Sequence, residues 1–591
     1  MMLEQYREVI LADFEFVPRD GERLQQVVCG VAHLLKSGTT IRLWHDQFGP
    51  EPPYPTGPDT LFIAYNAVAE VSCHLALGWP APQRVLDLYT EYLAHINWFR
   101  PKGTKPTSEA RLIHALAAYG LDSIGAEEKR SMIELILRGP PWTSEERQAI
   151  LDYCQGDVEA LRRLLPAMLP GIDLPRALLR GRYMCAVAAI ERNGIPIDHD
   201  RLARLIQHWP NIQQQLIAAD DPFGIYDADG SWSNARFAEL LVKRDIAWPC
   251  HADGKLDLRK EAFRDMAETP GAAAIAPLVR LRNGLSGLRL GPGLTVGQDS
   301  RNRTSLFPFR SATGRNQPSS KEYIFGCARW LRGLIKPPPG YAIAYIDWKQ
   351  QEFGIAAALS GDAAMLQAYS SGDPYLEFAK LAGGVPADAT SKTHPTERAL
   401  FKQCVLATQY GQGAKALALR IARPGPSQPW EAIARDLLAA HRRTFHKFWS
   451  WNEHYVDTAM FRHEARTVFG WRASIIGEPN PRSVANYPMQ ANGAEMMRIA
   501  CCLGIERGIK ICAPVHDAFL ISATTDKIDA AVVTMQEAMA EASRAVLDGF
   551  ELGADAKVIR HPDRYVDDRP GSQEMWDRIW QLVRNEERKV A

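Results

Sequence analysis

Several things are scarce in this 591-residue chain, and each absence removes a class of protein. Net charge is missing altogether: 69 Lys and Arg face 69 Asp and Glu. A chain so balanced is not a uniformly basic coat for nucleic acid, although local patches stay open. The ten cysteines are scattered, with one adjacent pair, Cys501 and Cys502, and no CxxC. Zinc sites and disulfide frameworks show paired spacings, so these read as reduced thiols of a cytoplasmic protein. The longest apolar runs, such as AAAIAPLV, fall well short of the ~20 residues that span a bilayer. The start, MMLEQYREVILADFEF, carries acids where a signal peptide needs a basic and then an apolar region. Internal repeats and low-complexity tracts are also missing. What is present, 46% hydrophobic and 23% charged residues, is the composition of a folded globular chain of about four structural units.

Strand-like runs open the chain: REVILADFEF, VVCGVAHLL and TLFIAYNA, with a helical pattern from Glu109 to Leu164. Strands followed by helices suggest a compact α/β first domain. Residues from Leu174 to about Leu290 are patterned almost entirely as helix. The rest mixes short strands (YAIAYIDW, CAPVHDAFLIS) with long helices.

Asp13 and Glu15 stand two apart on a strand and so point to one face. Two carboxylates leaving an apolar strand side by side repel unless a cation lies between them. Asn66 precedes Glu70 by four residues, and Tyr153 precedes Asp157 by four on a helix. Any one of these alone reads as a solvated acid. Their order, DxE then NxxxE then YxxxD, resembles the tyrosine-type DEDD 3′→5′ exonucleases. That resemblance implies an RNase H-like fold, with Asp13, Glu15, Glu70 and Asp157 holding two divalent metals (Mg²⁺ or Mn²⁺) and Tyr153 orienting the attacking water. The family usually has Asp at the position of Glu70. The extra methylene shifts that carboxylate by about 1.5 Å, so a weakened exonuclease is expected.

In the second half, YAIAYIDW delivers Asp347 at the end of a buried strand, with Glu352 five residues on. CAPVHDAFLIS reads as an apolar strand broken at its centre by His516 and Asp517. A charge there is costly unless a partner or metal compensates it, and alone it reads as a satisfied core pair. Arg398, Lys402, Leu406 and Tyr410 recur every four residues, drifting only ~40° per step around a helix. That face offers two cations for phosphates and then an apolar and aromatic surface for sugar and base. Arg482, Asn486 and Gln490 repeat the spacing, although Pro488 argues against a regular helix throughout. Such groups suit a nucleic-acid groove. Residues 301–336 hold eight cations (Arg301, Arg303, Arg310, Arg315, Lys321, Arg329, Arg332, Lys336) against Glu322, a concentration that suggests a polyanion partner.

Together these elements resemble the family A DNA polymerases. Motif A, usually DYSQIELR, reads DWKQQEFG from Asp347. Motif B, usually RxxxKxxxFxxxYG, runs through Arg398, Lys402, Leu406 and Tyr410 to Gly411. Motif C, usually VHDE, reads Val515-His516-Asp517-Ala518, and Thr313-Gly314-Arg315 matches a TGR element. IERNGIPID matches the passage from exonuclease to thumb. The resemblance implies an α/β multidomain chain. It divides into an exonuclease-like domain (1–172), a helical thumb and connecting region (173–300), and a first part of the palm (301–362). Fingers (363–480) and the rest of the palm (481–591) follow. No separate 5′-nuclease domain is expected.

The implied activity is addition of deoxynucleotides to a primer 3′ end, with Asp347 and Asp517 holding two Mg²⁺. Arg398 and Lys402 would take the triphosphate of the dNTP, with Lys402 also a proton donor to pyrophosphate, and Tyr410 would pack near the nascent base pair. Glu352 would exclude a 2′-hydroxyl. Arg315, Arg482, Asn486, Gln490 and His516 would touch primer–template DNA. A monomer without a membrane partner is expected. Three departures stand out: Leu406 for an aromatic, Ala518 for Glu, and Gly354 for Arg. Two rival readings are a single-subunit RNA polymerase and a non-catalytic primer–template clamp.

Overall fold

The computed structural model describes residues 3–590 apart from 19–20, 100–109, 123–124, 228, 251–253, 260–261, 264–265, 267–273, 286–293, 410, 423–428, 478 and 570. Two sheets organise it.

The first sheet is built from β1 (Glu8–Val17), β2 (Gln26–Leu34), β3 (Thr39–Trp44), β4 (Thr60–Ala64) and β5 (Val85–Asp87), in the order β3-β2-β1-β4-β5. β1 pairs antiparallel with β2 and parallel with β4, so the sheet is mixed. Its helices are α1 (Ala67–Leu77), α2 (Leu88–Ile96), α3 (Leu112–Ala118), α4 (Ala126–Arg138) and α5 (Ser144–Met168). A capping box starts α5: Thr143 Oγ1 accepts the Glu146 N–H, and the Glu146 carboxylate accepts the Thr143 N–H. Period-two alternation divides β1 between two cores. Val9 and Leu11 pack with α5, while Ile10, Ala12 and Phe14 pack on the opposite side. The sequence reading does not mark β3, which starts on two exposed threonines, ends on buried Trp44 and pairs antiparallel with the β2 edge.

A helical stretch follows: α6 (Leu174–Asn193), α7 (His199–Asp220), α8 (Asn234–Lys243) and α9 (Ala276–Leu285), with the two-residue strands β6 (Ile195–Pro196) and β7 (Arg301–Asn302) paired across it. α6 lies against the edge of the first sheet so closely that a Cβ on Gly181 would sit 1.9 Å from the Val85 carbonyl oxygen. Buried Arg180 adds a bidentate pair to Glu91 of α2, at 2.6 and 2.7 Å.

The second sheet runs β11-β12-β8-β13, from β8 (Tyr341–Trp348), β11 (Lys510–Val515), β12 (Ala518–Thr524) and β13 (Ala554–Arg560), antiparallel throughout. Between β8 and β11 come α10 (Gln351–Ser360), α11 (Ala363–Ser370), α12 (Pro374–Leu381), α13 (Pro395–Gln409), α14 (Ala414–Ile421), α15 (Trp430–Thr444), α16 (His446–Arg462), the hairpin of β9 (Glu464–Arg466) and β10 (Arg472–Ser474), and α17 (Pro481–Glu506). α18 (Ile528–Val546) and α19 (Ser572–Val590) complete the chain. The two halves touch a second time where Asn97 donates to the carbonyls of Ala312 (2.9 Å) and Arg472 (2.7 Å) and Phe99 packs edge-on against Tyr487.

Two expectations need correction. Pro488 does not interrupt its helix: α17 is continuous from Pro481 to Glu506, and the Asn492 side chain donates to the Pro488 carbonyl at 2.8 Å. CAPVHDAFLIS is not one broken strand but a hairpin. Val515 lies opposite Ala518, leaving His516 and Asp517 as a two-residue turn. His516 takes the left-handed backbone (φ 57°) that such a turn demands.

Candidate active sites

The first centre forms at the end of β8. Asp347 lies directly opposite Ala518 of β12 on one side and Asp555 of β13 on the other. Asp517, in the turn, follows next along that ladder, and its carbonyl accepts the Trp348 N–H at 3.2 Å. Two carboxylates far apart in sequence are thus held together by backbone pairing. Burial raises the Asp347 carboxyl to about 7, with Asp517 and Asp555 adding repulsion. Burial also raises Asp517, against weaker lowering by His516 and Arg315. Asp555 escapes to solvent and pairs with Lys349 at 2.9 Å. Among the described residues no Lys or Arg forms an ion pair with Asp347 or Asp517, a donor set that fits a divalent metal.

Glu352 lies in the first turn of α10, 3.9 Å from the Arg315 guanidinium. Burial pushes its carboxyl up while Arg315 opposes the shift. Arg315 closes a turn in which Ser311 Oγ accepts its N–H at 2.7 Å. Gly314 there has φ 73°, and a Cβ would press on Arg498 and Trp471 at 3.1 Å, so glycine is required. Beside this turn is a cavity of 490 Å³ lined by Arg315, Tyr323, Arg498 and His516, among others.

α13 buries Phe401, Cys404, Val405 and Thr408. Arg398, Lys402 and Leu406 therefore share its more open side. Arg398 pairs with Asp373, and both cations approach the Tyr375 ring, at 5.7 Å for Arg398 and 5.6 Å for Lys402. Tyr410 lies outside the described residues. On α17, Arg482 is exposed while Asn486 and Gln490 are half-buried.

The basic run 301–336 is not one polyanion-facing surface. Arg301 is buried and donates to the carbonyls of Asn193 (3.1 Å) and Gly194 (2.8 Å). Arg303 pairs with Asp299 at 2.5 Å, and Arg332 with Asp567 at 2.7 Å. These arginines are interior fasteners, and a charge count alone does not separate them from a surface patch.

The second centre is in the first sheet. Asp13 and Glu15 of β1 and Asp157 of α5 bring one carboxylate oxygen each within 4.8 Å of one another. Asp13 Oδ2 is buried and has no hydrogen-bond partner among the described residues. Such an orphaned oxygen fits a metal. Burial, then Asp157, raises the Asp13 carboxyl to about 7, and burial also raises Glu15 and Glu70. Glu70 stands beside the trio but outside it, its Oε2 accepting the Phe14 N–H at 3.0 Å. Tyr153 lies one turn before Asp157 on α5.

Sequence reasoning missed three groups. Asp555 comes from a strand with no motif, Tyr375 from an unremarkable helix. Lys129 of α4 pairs with Asp157 at 2.9 Å and approaches the Tyr153 ring at 5.5 Å. Only the folded register brings them in.

The fold is of the α/β class, with a pair of carboxylates at one end of its second sheet. Residues 319–558 match the model of DNA polymerase family A. Curated relatives include a thermostable DNA polymerase I of Thermus thermophilus, 26% identical over 226 residues, which are 36% of this chain and 26% of that protein. The DNA polymerase I of Aquifex aeolicus is 23% identical over 438 residues, 68% of this chain and 73% of that one. The DNA polymerase of Mycobacterium phage D29 is 26% identical over 360 residues, 58% and 57% of the two chains. The chain thus spans about a quarter of the Thermus protein and nearly three quarters of the Aquifex one. The same fold occurs in the POL domain of Pol1 from M. smegmatis, solved in complex with DNA primer-template and dNTP. Its TM-score is 0.65 at 18% identity, covering 94% of this chain and 96% of that one.

Proposed function

We propose that the protein is a template-directed DNA polymerase that adds deoxynucleotides to a primer 3′ end, with a 3′→5′ exonuclease in its first sheet. The observation that carries the reading is the pairing of β8 with β12, which sets Asp347 beside Asp517 at one sheet end. Those two carboxylates would hold Mg²⁺. When bound, divalent ions lower the pKa of the attacking hydroxyl and neutralise charge on triphosphate and pyrophosphate.

The chain's own groups supply the rest. Arg398 and Lys402 bind triphosphate oxygens from the open side of α13, with Arg398 leaving Asp373 to do so. Lys402 donates a proton to departing pyrophosphate. Glu352 blocks the space of a 2′-hydroxyl, and Arg315 restrains its carboxylate. His516, Arg482, Asn486 and Gln490 contact primer–template backbone and minor groove, so base pairing carries the sequence information. In the first sheet, Asp13, Glu15 and Asp157, with Glu70 beside them, would hold the two divalent metals of the exonuclease centre, and Tyr153 would orient water. The topology β3-β2-β1-β4-β5, with β3, β2 and β1 antiparallel, supports an RNase H-like assignment for this part.

Primer extension tests the reading, comparing the wild type, Asp517→Ala and Asp13→Ala, each with dNTPs, with rNTPs or without nucleotides. Wild type should extend with dNTPs and shorten a mismatched 3′ end without them. Preferential rNTP use would instead favour an RNA polymerase. Unchanged extension by Asp517→Ala would make the site assignment wrong.

A further inference from the structure

The second sheet carries a carboxylate that no motif names. Asp555 lies directly opposite Asp347 in the β8–β13 ladder. Directly opposed residues share a face of the sheet, with Cβ atoms about 4.5–5.5 Å apart. Ala518 flanks Asp347 on the other side, so the row across β12, β8 and β13 reads methyl, carboxylate, carboxylate. β13 is an edge strand, and the Asp555 side chain is 75% exposed. It pairs at 2.9 Å with Lys349, itself 43% exposed, and water weakens such a pair.

The backbone beneath Asp555 is held firmly. The Lys349 N–H donates to the Gly553 carbonyl at 2.8 Å. Tyr369 of α11 ties the same two residues again: its hydroxyl donates to the Lys349 carbonyl (3.2 Å) and accepts the Gly553 N–H (3.1 Å). Gly354 of α10 makes room for that ring, since a Cβ there would sit 2.9 Å from it. A carboxylate fixed at its root and solvated at its tip suits the water shell of an ion, and Mg²⁺ keeps several of its waters. We infer that Asp555 is a third acid of the polymerase centre, turning from Lys349 to accept hydrogen bonds from water on a divalent ion held by Asp347 and Asp517. The inference rests on the polymerase reading above.

Mn²⁺ binding to the full-length chain is the test, followed by calorimetry and by the paramagnetic resonance of free ion. Asp13→Ala and Asp157→Ala are combined as background to silence the other centre. Adding Asp517→Ala should abolish the remaining Mn²⁺ binding. Adding Asp555→Asn should weaken it about tenfold, and Asp555→Glu should restore most of it. Lys349→Met separates a metal role from a salt-bridge role. It should bind Mn²⁺ at least as tightly as the background, because the acid loses its competing cation. In parallel, the Mg²⁺ concentration for half-maximal primer extension should rise about tenfold in Asp555→Asn, with the rate at saturating Mg²⁺ kept within about twofold. Mn²⁺ affinity unchanged by Asp555→Asn yet lost in Asp517→Ala, or an equal loss in Lys349→Met and Asp555→Asn, would overturn the proposal and leave the polymerase reading standing. Mn²⁺ binding untouched by Asp517→Ala would defeat that reading, and the role of Asp555 with it.

Discussion

Asp347 and Asp517 owe their proximity to backbone pairing, so replacing either side chain removes chemistry without unmaking the site's frame. Asp347→Ala and Asp517→Ala should each lower the primer-extension rate by about 10³-fold or more, with the melting temperature of the metal-free protein unchanged or higher, because repulsion is relieved. Leu406 is half-exposed on the α13 side that carries Arg398 and Lys402. An aromatic there gains stacking of ~1 kcal/mol, so Leu406→Phe should lower the apparent KM for dNTP roughly fivefold in steady-state extension. Asp13 gives the pH dependence. Its folded carboxyl sits near 7 against an ordinary 3.8. Between those values the folded, metal-free chain keeps a proton that the unfolded chain has lost, and stability falls as pH rises. Asp13→Asn fixes the neutral form. It should raise metal-free stability by ~1–2 kcal/mol at pH 8 and make no difference at pH 4, as thermal denaturation in EDTA will show.

Among the elements, α6 carries the most sensitive contact. Its Gly181 faces the Val85 carbonyl with no room for a methyl group. Gly181→Ala should force β5 and α6 apart at a cost of ~1–3 kcal/mol. The expected sign is a lower melting temperature and faster proteolysis near the seam, with primer extension at low temperature little changed. Elements also show where sequence reading ends. Asp347, Asp517 and the Arg398–Lys402 face were legible because each lies on a short segment with a strong local pattern. The hairpin at His516 was misread as a strand, since apolar residues flank it without the Asn-Gly or Asp-Gly that announces most two-residue turns. Pro488 argues against a regular helix because sequence shows the missing N–H but not the neighbours that tolerate it.

At the scale of the molecule, both centres sit on one packed body. One face of the first sheet shares its core with α6 and the second sheet. Separation of function should nevertheless be clean, because the two carboxylate groups use different strands. Asp13→Ala should abolish 3′-end shortening and leave extension within about twofold, while Asp347→Ala should do the reverse in the same two assays. This level was the least legible in the sequence. Arg301, Arg303 and Arg332 look like partners for a polyanion when counted along the chain, yet they fasten loops and helices from within. Lys129 and Asp555 carry no motif and acquire meaning only from what lies across from them.

The His516–Asp517 turn acts as a ruler. With two residues between paired strands there is no slack, so Asp517 can shift relative to Asp347 only if the ladder itself slips. Lengthening the loop by a single glycine would leave every side chain of the centre chemically intact while misplacing one of its two acids.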